Sequence, residues 1–313
     1  MPPEPVDVVP LLSAAKVTVV AGKGGVGKTT VTALLVRAAA DAGRRVIAVE
    51  LDGKPTLAEL VGDVPLLAVS APLALEEYLR EHGFGRVAKR LVASGVIDVV
   101  STAAPGIDDL VVLGKIKQLE RSGEWDTIVV DGPAAGHAVT MLTSPAGLRD
   151  AVSSGPVRAQ ADDVLAMLAD ATRCQVALVT LAETTPVNET IATAFTIEDR
   201  VGVKLAPVFV NAVDVDPVGS NDALPSDDRL DAVIAGLGVD AQTATALRDA
   251  ALFRSERRRA QQAAIDQLSQ SLPLDQLHVP SVSGRLDGAA LLELVGRVRS
   301  GSTVGGVVPV ADR

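Results

Sequence analysis

Short, continuous apolar runs alternate along the chain with longer segments in which apolar residues recur at helical spacing. Unbroken apolar runs are typical of strands that are buried on both faces of a sheet. The pattern predicts strands at residues 17–21, 44–50, 66–70, 126–131, 175–180, 207–211 and 277–280. Because strands and helices alternate, we predict an α/β fold with a doubly wound, mostly parallel sheet.

Helical periodicity is visible in most of the segments that connect these strands. The predicted helices are residues 29–42, 72–94, 107–120, 148–171 with a break near Gly155 and Pro156, 188–200, 243–271 and 288–299. Prolines near the start indicate a loose lead-in over residues 1–13. Asp, Pro, Gly and Ser dominate residues 214–228, which are predicted to be a polar loop.

The length of the chain would allow two average domains or one large α/β domain. The chain has 313 residues, of which 48% are hydrophobic and 2% aromatic, so a sizeable aliphatic core is available. We interpret residues 1–313 as a single domain with a small helical subdomain at about 71–120 and 141–173. Residues 300–313 are predicted to be a flexible tail.

A glycine-rich turn separates the first predicted strand from the first predicted helix. Its sequence, GKGGVGKTT, fits the pattern G-x-x-x-x-G-K-[ST], which is typical of loops that bind phosphate. Glycines let the backbone wrap closely around an anion, and the following helix presents its positive end to the same anion. The predicted nucleotide contacts are Gly22, Lys23, Gly24, Gly25, Val26, Gly27, Lys28, Thr29 and Thr30.

This turn predicts binding of a nucleoside triphosphate together with Mg²⁺. We expect Lys28 to reach the β- and γ-phosphates and the Thr29 hydroxyl to ligate the metal. Asp131 ends a predicted strand and is expected near the metal shell, although a turn or capping role is the alternative. Asp52 follows the second strand and is expected to orient the attacking water or a metal-bound water; its alternative is a turn residue.

Two further nucleotide contacts are predicted at strand ends. Asn211 could bond the edge of the adenine, although an asparagine in that position is also common in plain turns. Pro280, at the end of the last predicted strand, is the other candidate. The glycine-flanked segment 131–137 is expected to be a loop that moves when the γ-phosphate leaves.

Charge and composition argue against several classes of function. A formal net charge of −10 and very few aromatic residues argue against a nucleic-acid partner. No apolar run is long enough for a membrane span and residues 1–10 lack a signal-peptide core, so we expect a cytoplasmic protein without stable membrane insertion. Cys174 is the only cysteine, which excludes an intrachain disulfide, an arsenite site built from several cysteines, and the ligand set of a bridging iron–sulfur cluster.

Lys23, directly after the first glycine of the turn, is not needed by an ordinary phosphate loop. GKGGVGKT therefore resembles the deviant phosphate loop of the MinD, ParA and ArsA class. Four later motifs, in the same order, resemble the ArsA-type ATPases, which include arsenite-pump ATPases and ATPases that target tail-anchored membrane proteins. These motifs are APGIDD at 104–109, DGPAAGH at 131–137, VTLAETTPVNET at 179–190 and VFVNAV at 208–213.

The resemblance implies a dimeric, Mg²⁺-dependent ATPase. Lys23 would cross the dimer interface to the partner's nucleotide, and Asn211 would contact adenine. A solvated lysine that stays in its own subunit is the alternative for Lys23. The partner would be a second copy or a paralogous ATPase. Two segments, GKIKQL at 114–119 and SGPVRAQAD at 154–162, resemble a bacterial subgroup of this family that is found as paralogous pairs. The client of that subgroup is unknown and could be a protein or a hydrophobic segment.

One departure keeps other functions open. The family's D-P-A-H segment is replaced here by Asp52-Gly53-Lys54-Pro55, which leaves a non-hydrolysing regulatory subunit as an alternative. A MinD- or ParA-like positioning ATPase is another alternative. We see no basic amphipathic helix in residues 300–313, and the arginine-rich segment 254–259 is typical of a solvated helix face.

Overall fold

The computed structural model describes residues 8–51, 53, 55–81, 106–214, 227–282, 284 and 286–300, and it contains an eight-stranded sheet. The strands are β1 Val17–Gly22, β2 Val46–Glu50, β3 Leu66–Ala68, β4 Thr127–Ala134, β5 Cys174–Leu181, β6 Lys204–Leu205, β7 Val208–Val213 and β8 Gln276–Pro280. Their order is β3-β2-β4-β1-β5-β7-β8, with the short β6 beside β5. Every described pairing is parallel, so the predicted sheet type is confirmed.

Helices cover both faces of this sheet. They are α1 Val9–Ala14, α2 Lys28–Asp41, α3 Thr56–Val61, α4 Ala71–Glu81, α5 Ile107–Ser122, α6 Ala135–Ala151, α7 Pro156–Ala169, α8 Thr184–Arg200, α9 Asp227–Gly236, α10 Ala241–Ser271 and α11 Gly288–Ser300. One apolar cluster lies between the sheet and α4–α8 with the second half of α10. A second cluster lies on the other face under α1, α2, α3 and α11. The predicted doubly wound α/β fold is therefore confirmed.

The central strand β1 shows why the chain forms two clusters. Its residues are fully buried, and successive side chains point to opposite faces of a strand. Val19 accordingly belongs to the first cluster and Val20 to the second. Small β-branched side chains on both faces allow helices to pack on each side of the sheet.

The segment after Asp131 differs from the prediction. Strand β4 continues to Ala134 and α6 begins at Ala135, so the expected loop over 131–137 is wrong, as is the expectation that Asp131 closes its strand. The register between β1 and β4 shifts between Val20 and Gly22, and the two strands remain paired beyond Asp131. A Cβ on Gly132 would lie 2.4 Å from the Val20 carbonyl oxygen. Gly132 therefore serves close strand approach, not loop formation.

Several helical boundaries also differ. The predicted helix 148–171 is two helices, α6 and α7, and the predicted break at Gly155 and Pro156 is confirmed, with Gly155 at φ +104°. The lead-in contains α1, whose Leu12 is fully buried, so the interpretation of residues 1–13 as loose is wrong for that part. Helices α3 and α9 were not predicted, because each is short and has few apolar repeats.

Some predictions fall outside the described residues. These are Asp52, Lys54, the part of the helix 72–94 after residue 81, the APG start of the motif at 104–109 apart from Gly106, the loop 215–226 and the tail 301–313. Helices α4, α5, α6 and α7 pack against one another on one face of the sheet. Their division from the rest of the chain as a subdomain stays a prediction.

Candidate functional site

The turn predicted to bind phosphate lies at the carboxyl edge of the sheet. It joins the end of β1 to the start of α2, and β4 and β5 flank β1 on its two sides. In open parallel sheets, this edge is where ligands bind. The site therefore has three structural neighbours: β4 on one flank, β5 with α8 on the other, and the end of β7.

Two glycines of the turn, Gly22 and Gly27, are held where a side chain would not fit. A Cβ on Gly22 would lie 2.3 Å from the Val179 carbonyl oxygen of β5, and one on Gly27 would lie 2.1 Å from Asn211 Nδ2. Gly25 and Gly27 also have φ values of +86° and +89°, which residues with side chains rarely adopt. The backbone is thus fixed in a compact anion-binding type of turn.

Helix α2 starts directly at Lys28, without a described side-chain cap and without an acidic residue in its first turn. The positive end of its dipole therefore faces the turn, where it would favour an anion. The Lys28 Nζ donates to the Lys23 carbonyl oxygen at 3.3 Å, so its side chain crosses the turn. The contact of Lys28 with phosphate stays a prediction.

Asp131 is joined to α2 by two threonines. Thr29 Oγ1 donates to Asp131 Oδ2 at 2.8 Å, and Thr32 Oγ1 donates to Asp131 Oδ1 at 3.1 Å. The structure therefore brings together Thr29 and Asp131, the two described residues predicted near Mg²⁺. Thr32 was missed, although its position three residues after Thr29 places it on the same helix face.

The donor set fits a magnesium ion held together with phosphate. Mg²⁺ prefers hard oxygen ligands and keeps several waters or substrate oxygens around it. A hydroxyl and a carboxylate oxygen lie within one hydrogen bond of each other at the start of α2. Within the described residues no group of three or more His, Cys, Asp or Glu could hold a metal by itself. Waters and phosphate oxygens would complete a shell that begins with Thr29 and Asp131.

Asn211 lies against the turn. Its Nδ2 donates to the Val26 carbonyl oxygen at 2.9 Å, and Val26 is itself almost completely buried. The next residue, Ala212, has a φ of +55° and is the one described non-glycine residue with a positive φ. The pairing of β7 with β8 shifts at the same point, between Val210 and Val213. This irregularity directs Asn211 towards the turn, which no local sequence signal could have indicated.

The remaining predicted contacts are placed around this centre. Pro280 ends β8 and is buried opposite Val213, the last residue of β7. Contacts from Asn211 or Pro280 to adenine stay predictions. Gly24 and Gly25 are exposed at the tip of the turn, and Thr30 is half-buried in the first turn of α2.

Lys23 is engaged by a residue that the sequence did not indicate. Its Nζ lies 2.5 Å from Glu189 Oε1, on α8, and the two side chains are 37% and 46% exposed. The two residues are separated by 166 positions, so no local pattern could have predicted their contact. The structure therefore turns Lys23 towards α8 of its own chain.

The surroundings of the single cysteine, Cys174, make its thiol unreactive. Cys174 begins β5 and is fully buried, and this burial raises the pKa of its thiol to about 12. A thiol with so high a pKa stays protonated and is a poor metal ligand or nucleophile.

Among the helices that the structure describes, none is both long enough and apolar enough to cross a membrane.

Comparison with known proteins places this chain among nucleotide-binding domains. Residues 17–226 match the family described as the CobQ/CobB/MinD/ParA nucleotide binding domain. The chain is 30% identical to ATPase BagA of Mycobacterium tuberculosis over an alignment of 319 residues. The alignment covers 90% of this chain and 92% of that protein.

Two more distant relatives cover shorter stretches. A putative arsenical pump-driving ATPase of Halobacterium salinarum is 26% identical over 231 residues, covering 64% of this chain and 36% of that protein. ATPase GET3C of Arabidopsis thaliana is 30% identical over 155 residues, covering 40% of each. The family match, the fold and the glycine-rich turn agree, and the chain belongs to the CobQ/CobB/MinD/ParA family of nucleotide-binding ATPase domains, with ArsA-like ATPases among its relatives.

Proposed function

We propose that this chain binds and hydrolyses ATP with Mg²⁺ as an ArsA-like ATPase, and that its nucleotide state changes how two subunits pack. The observation that carries the proposal is the combination of Lys28 across the turn with the Thr29–Asp131 hydrogen bond beside it. Together these place a cation, a hydroxyl and a carboxylate around the start of one helix. That is the arrangement that phosphoryl transfer requires around a triphosphate.

Each part of the site would have a separate task. The backbone N–H groups of the turn and Lys28 would hold the phosphates, because both are positive donors close to one point. Thr29 and Asp131 would hold the Mg²⁺, which supplies charge neutralisation to the β- and γ-phosphates when bound. The Thr32 hydroxyl donates a hydrogen bond to the other carboxylate oxygen of Asp131, which would orient this carboxylate for metal binding.

Hydrolysis would use two further residues, Asp52 and Lys23. Asp52 would position the water that attacks the γ-phosphorus, after which the bond from that phosphorus to the bridging oxygen breaks and ADP leaves. Lys23 would cross to the partner subunit and stabilise the charge that develops in the transition state. The 37% exposure of its side chain supports this role, since a partner can reach it.

The partner would be a second copy of this chain or a paralogous ATPase. A protein or hydrophobic segment would be the client whose handling follows the nucleotide cycle. Both proposals rest on the resemblance of the motifs and on relatives named arsenical pump-driving ATPase and ATPase GET3C.

A second candidate is a regulatory subunit that binds ATP without hydrolysing it. The specific observation in its favour is the sequence Asp52-Gly53-Lys54-Pro55, which stands where the ArsA-type family has D-P-A-H. A positioning ATPase of the MinD or ParA type is a third alternative, because the matching family includes both. Steady-state turnover separates the regulatory subunit from the two hydrolysing alternatives.

The central test compares ATP affinity and turnover of the purified wild-type chain with those of Lys28→Ala. Loss of ATP binding in the variant is expected, because the β- and γ-phosphates lose their cation. Lys204→Ala is the matched control, since Lys204 is an exposed lysine beside the amino end of β5. Micromolar ATP affinity retained by Lys28→Ala would contradict the phosphate-binding assignment, and ATP binding without turnover in the wild type would favour the regulatory subunit.

A further inference from the structure

We propose that Glu189 is a positioning residue that keeps Lys23 inside its own subunit until two subunits close on nucleotide. This inference rests on the proposed function, and specifically on a role for Lys23 across the interface. It assigns a task to a residue that lies outside the phosphate-binding turn.

The contact between the two residues is direct. Lys23 Nζ and Glu189 Oε1 are 2.5 Å apart, which is a charge-assisted hydrogen bond. Both side chains remain partly exposed, at 37% and 46%. The pair is therefore formed within one chain while staying accessible to a second one.

The fold fixes the backbone at both ends of this contact. On one side, Gly22 lies directly beside Val179 because β1 and β5 are paired, so the position of Lys23 relative to β5 is set. On the other side, the neighbours of Glu189 anchor α8: Thr190 is buried, and Asn188 Oδ1 accepts a hydrogen bond from Gln267 Nε2 at 2.7 Å. The pairing of Lys23 with Glu189 is thus a consequence of the sheet and the helix packing.

The same geometry creates a competition. In the closed dimer, the ammonium group of Lys23 would turn from Glu189 of its own subunit to the phosphates bound by the partner. Closure of a dimer must therefore exchange a carboxylate for a triphosphate as the acceptor of Lys23. A triphosphate carries more negative charge, so the exchange favours the nucleotide-bound closed dimer and leaves the free subunit with Lys23 withheld.

The size of the effect follows from the exposure of the pair. Exposed ion pairs are weak, and releasing one changes an equilibrium by at most about fivefold. A symmetric dimer releases two pairs, so the assembly constant should change by up to roughly 25-fold. The pair is weak enough to be broken on every cycle and strong enough to be measured.

The test replaces Glu189 with its uncharged isostere in the full chain. Self-association of Glu189→Gln and wild type is measured by sedimentation across protein concentration in Mg²⁺-ATP, and ATPase rate is measured over the same range. The variant should reach half-maximal assembly at a protein concentration several-fold to about 25-fold lower than the wild type. Glu198→Gln is the matched control, because Glu198 is an exposed glutamate in the last turns of the same helix and should assemble like the wild type.

A double variant identifies the residue through which Glu189 acts. If Glu189 works by holding Lys23, then Lys23→Ala/Glu189→Gln should assemble at the same concentration as Lys23→Ala alone. Glu189→Asp should restore most of the wild-type behaviour, since it keeps the charge.

Two results would overturn the inference. One is unchanged assembly of Glu189→Gln, and the other is a fall in turnover per assembled dimer, which would make Glu189 a participant in the closed state. A wild type that neither assembles nor hydrolyses in Mg²⁺-ATP would instead refute the proposed function.

Discussion

At the scale of single residues, the site depends on positions where a side chain cannot be added. Gly27 combines a positive φ with an approach of Asn211 that leaves no space for a Cβ. Gly24, three residues earlier in the same turn, is different, since an added Cβ would meet no atom within 4 Å in the described part of the chain. The two glycines share a sequence context but not a structural requirement.

This difference gives a matched pair of variants. Gly27→Ala should weaken ATP binding by about tenfold or more, because left-handed backbone costs alanine about 1–2 kcal/mol and the new methyl group displaces Asn211. Gly24→Ala should bind ATP within about threefold of the wild type. Calorimetric titration with ATP measures both, and equal affinities for the two variants would show that the turn does not need the geometry described here.

At the scale of secondary-structure elements, two contacts hold β4 beside its neighbours. Gly132 lets the backbone of β4 approach Val20 of β1, past the point where the sequence predicted the strand to end. At the other end of β4, Arg45 donates to both carboxylate oxygens of Asp126, which links the starts of β2 and β4. Each contact predicts a different effect on stability.

Gly132→Ala should destabilise the fold by about 1–3 kcal/mol, because its methyl group would overlap a backbone oxygen that cannot move aside. Gly136→Ala is the control. Gly136 lies in the first turn of α6, where an added Cβ meets no described atom within 4 Å, and alanine should be neutral or stabilising there. Urea unfolding of both variants measures the difference, and similar midpoints would mean that β1 and β4 can separate at this position.

The link between Arg45 and Asp126 predicts a dependence on pH. Hydrogen bonds from Arg45 lower the pKa of Asp126 from 3.8 to about 2, so the folded state holds this proton less tightly than the unfolded state. The contribution of Asp126 to stability is therefore present above pH 3.8 and is lost as the pH falls towards 2. Asp126→Asn should lower the melting temperature near pH 6, and the difference from wild type should shrink between pH 4 and pH 2. A difference independent of pH would mean that the effect does not arise from the charge of the carboxylate.

The elements that the sequence predicted are those with a strong local pattern. Strands β1, β4, β5 and β7 are continuous apolar runs, and the turn at 22–29 is a contiguous motif, so both could be identified without tertiary information. The start of α6 could not, because Gly132, Pro133 and Gly136 are typical of loops and only the pairing with β1 extends the strand. Glu189 and the irregularity at Ala212 belong to the same group, since long-range packing creates them.

At the scale of the whole molecule, the proposed mechanism requires two copies of the site. Lys28 is expected to serve the nucleotide of its own subunit and Lys23 the nucleotide of the partner. The two lysines are five residues apart in one turn and make different contacts, Lys23 with Glu189 and Lys28 with the Lys23 carbonyl oxygen. A mixture of variants can therefore distinguish action within a subunit from action across the interface.

Lys23→Ala should bind ATP almost normally and hydrolyse it slowly, whereas Lys28→Ala should not bind it. When the two are mixed, a subunit with intact Lys28 can hold ATP while its partner supplies an intact Lys23. About a quarter of wild-type activity should return, because random pairing makes half of the dimers mixed and each of these has one working site. Mixed dimers are verified by native mass measurement. If they form without any recovered activity, Lys23 acts within its own subunit or both sites must work together.

The position of β1 between β4 and β5 has a consequence for how this protein can vary. The turn after β1 contacts Asp131 on the β4 flank and Glu189 on the β5 flank, and these two contacts share no side chain. If the proposed mechanism holds, substitutions on one flank would change how tightly metal is held and leave assembly as it was, and substitutions on the other flank would do the reverse. Metal dependence and subunit association would then be two traits that mutation can adjust separately in a single nucleotide site.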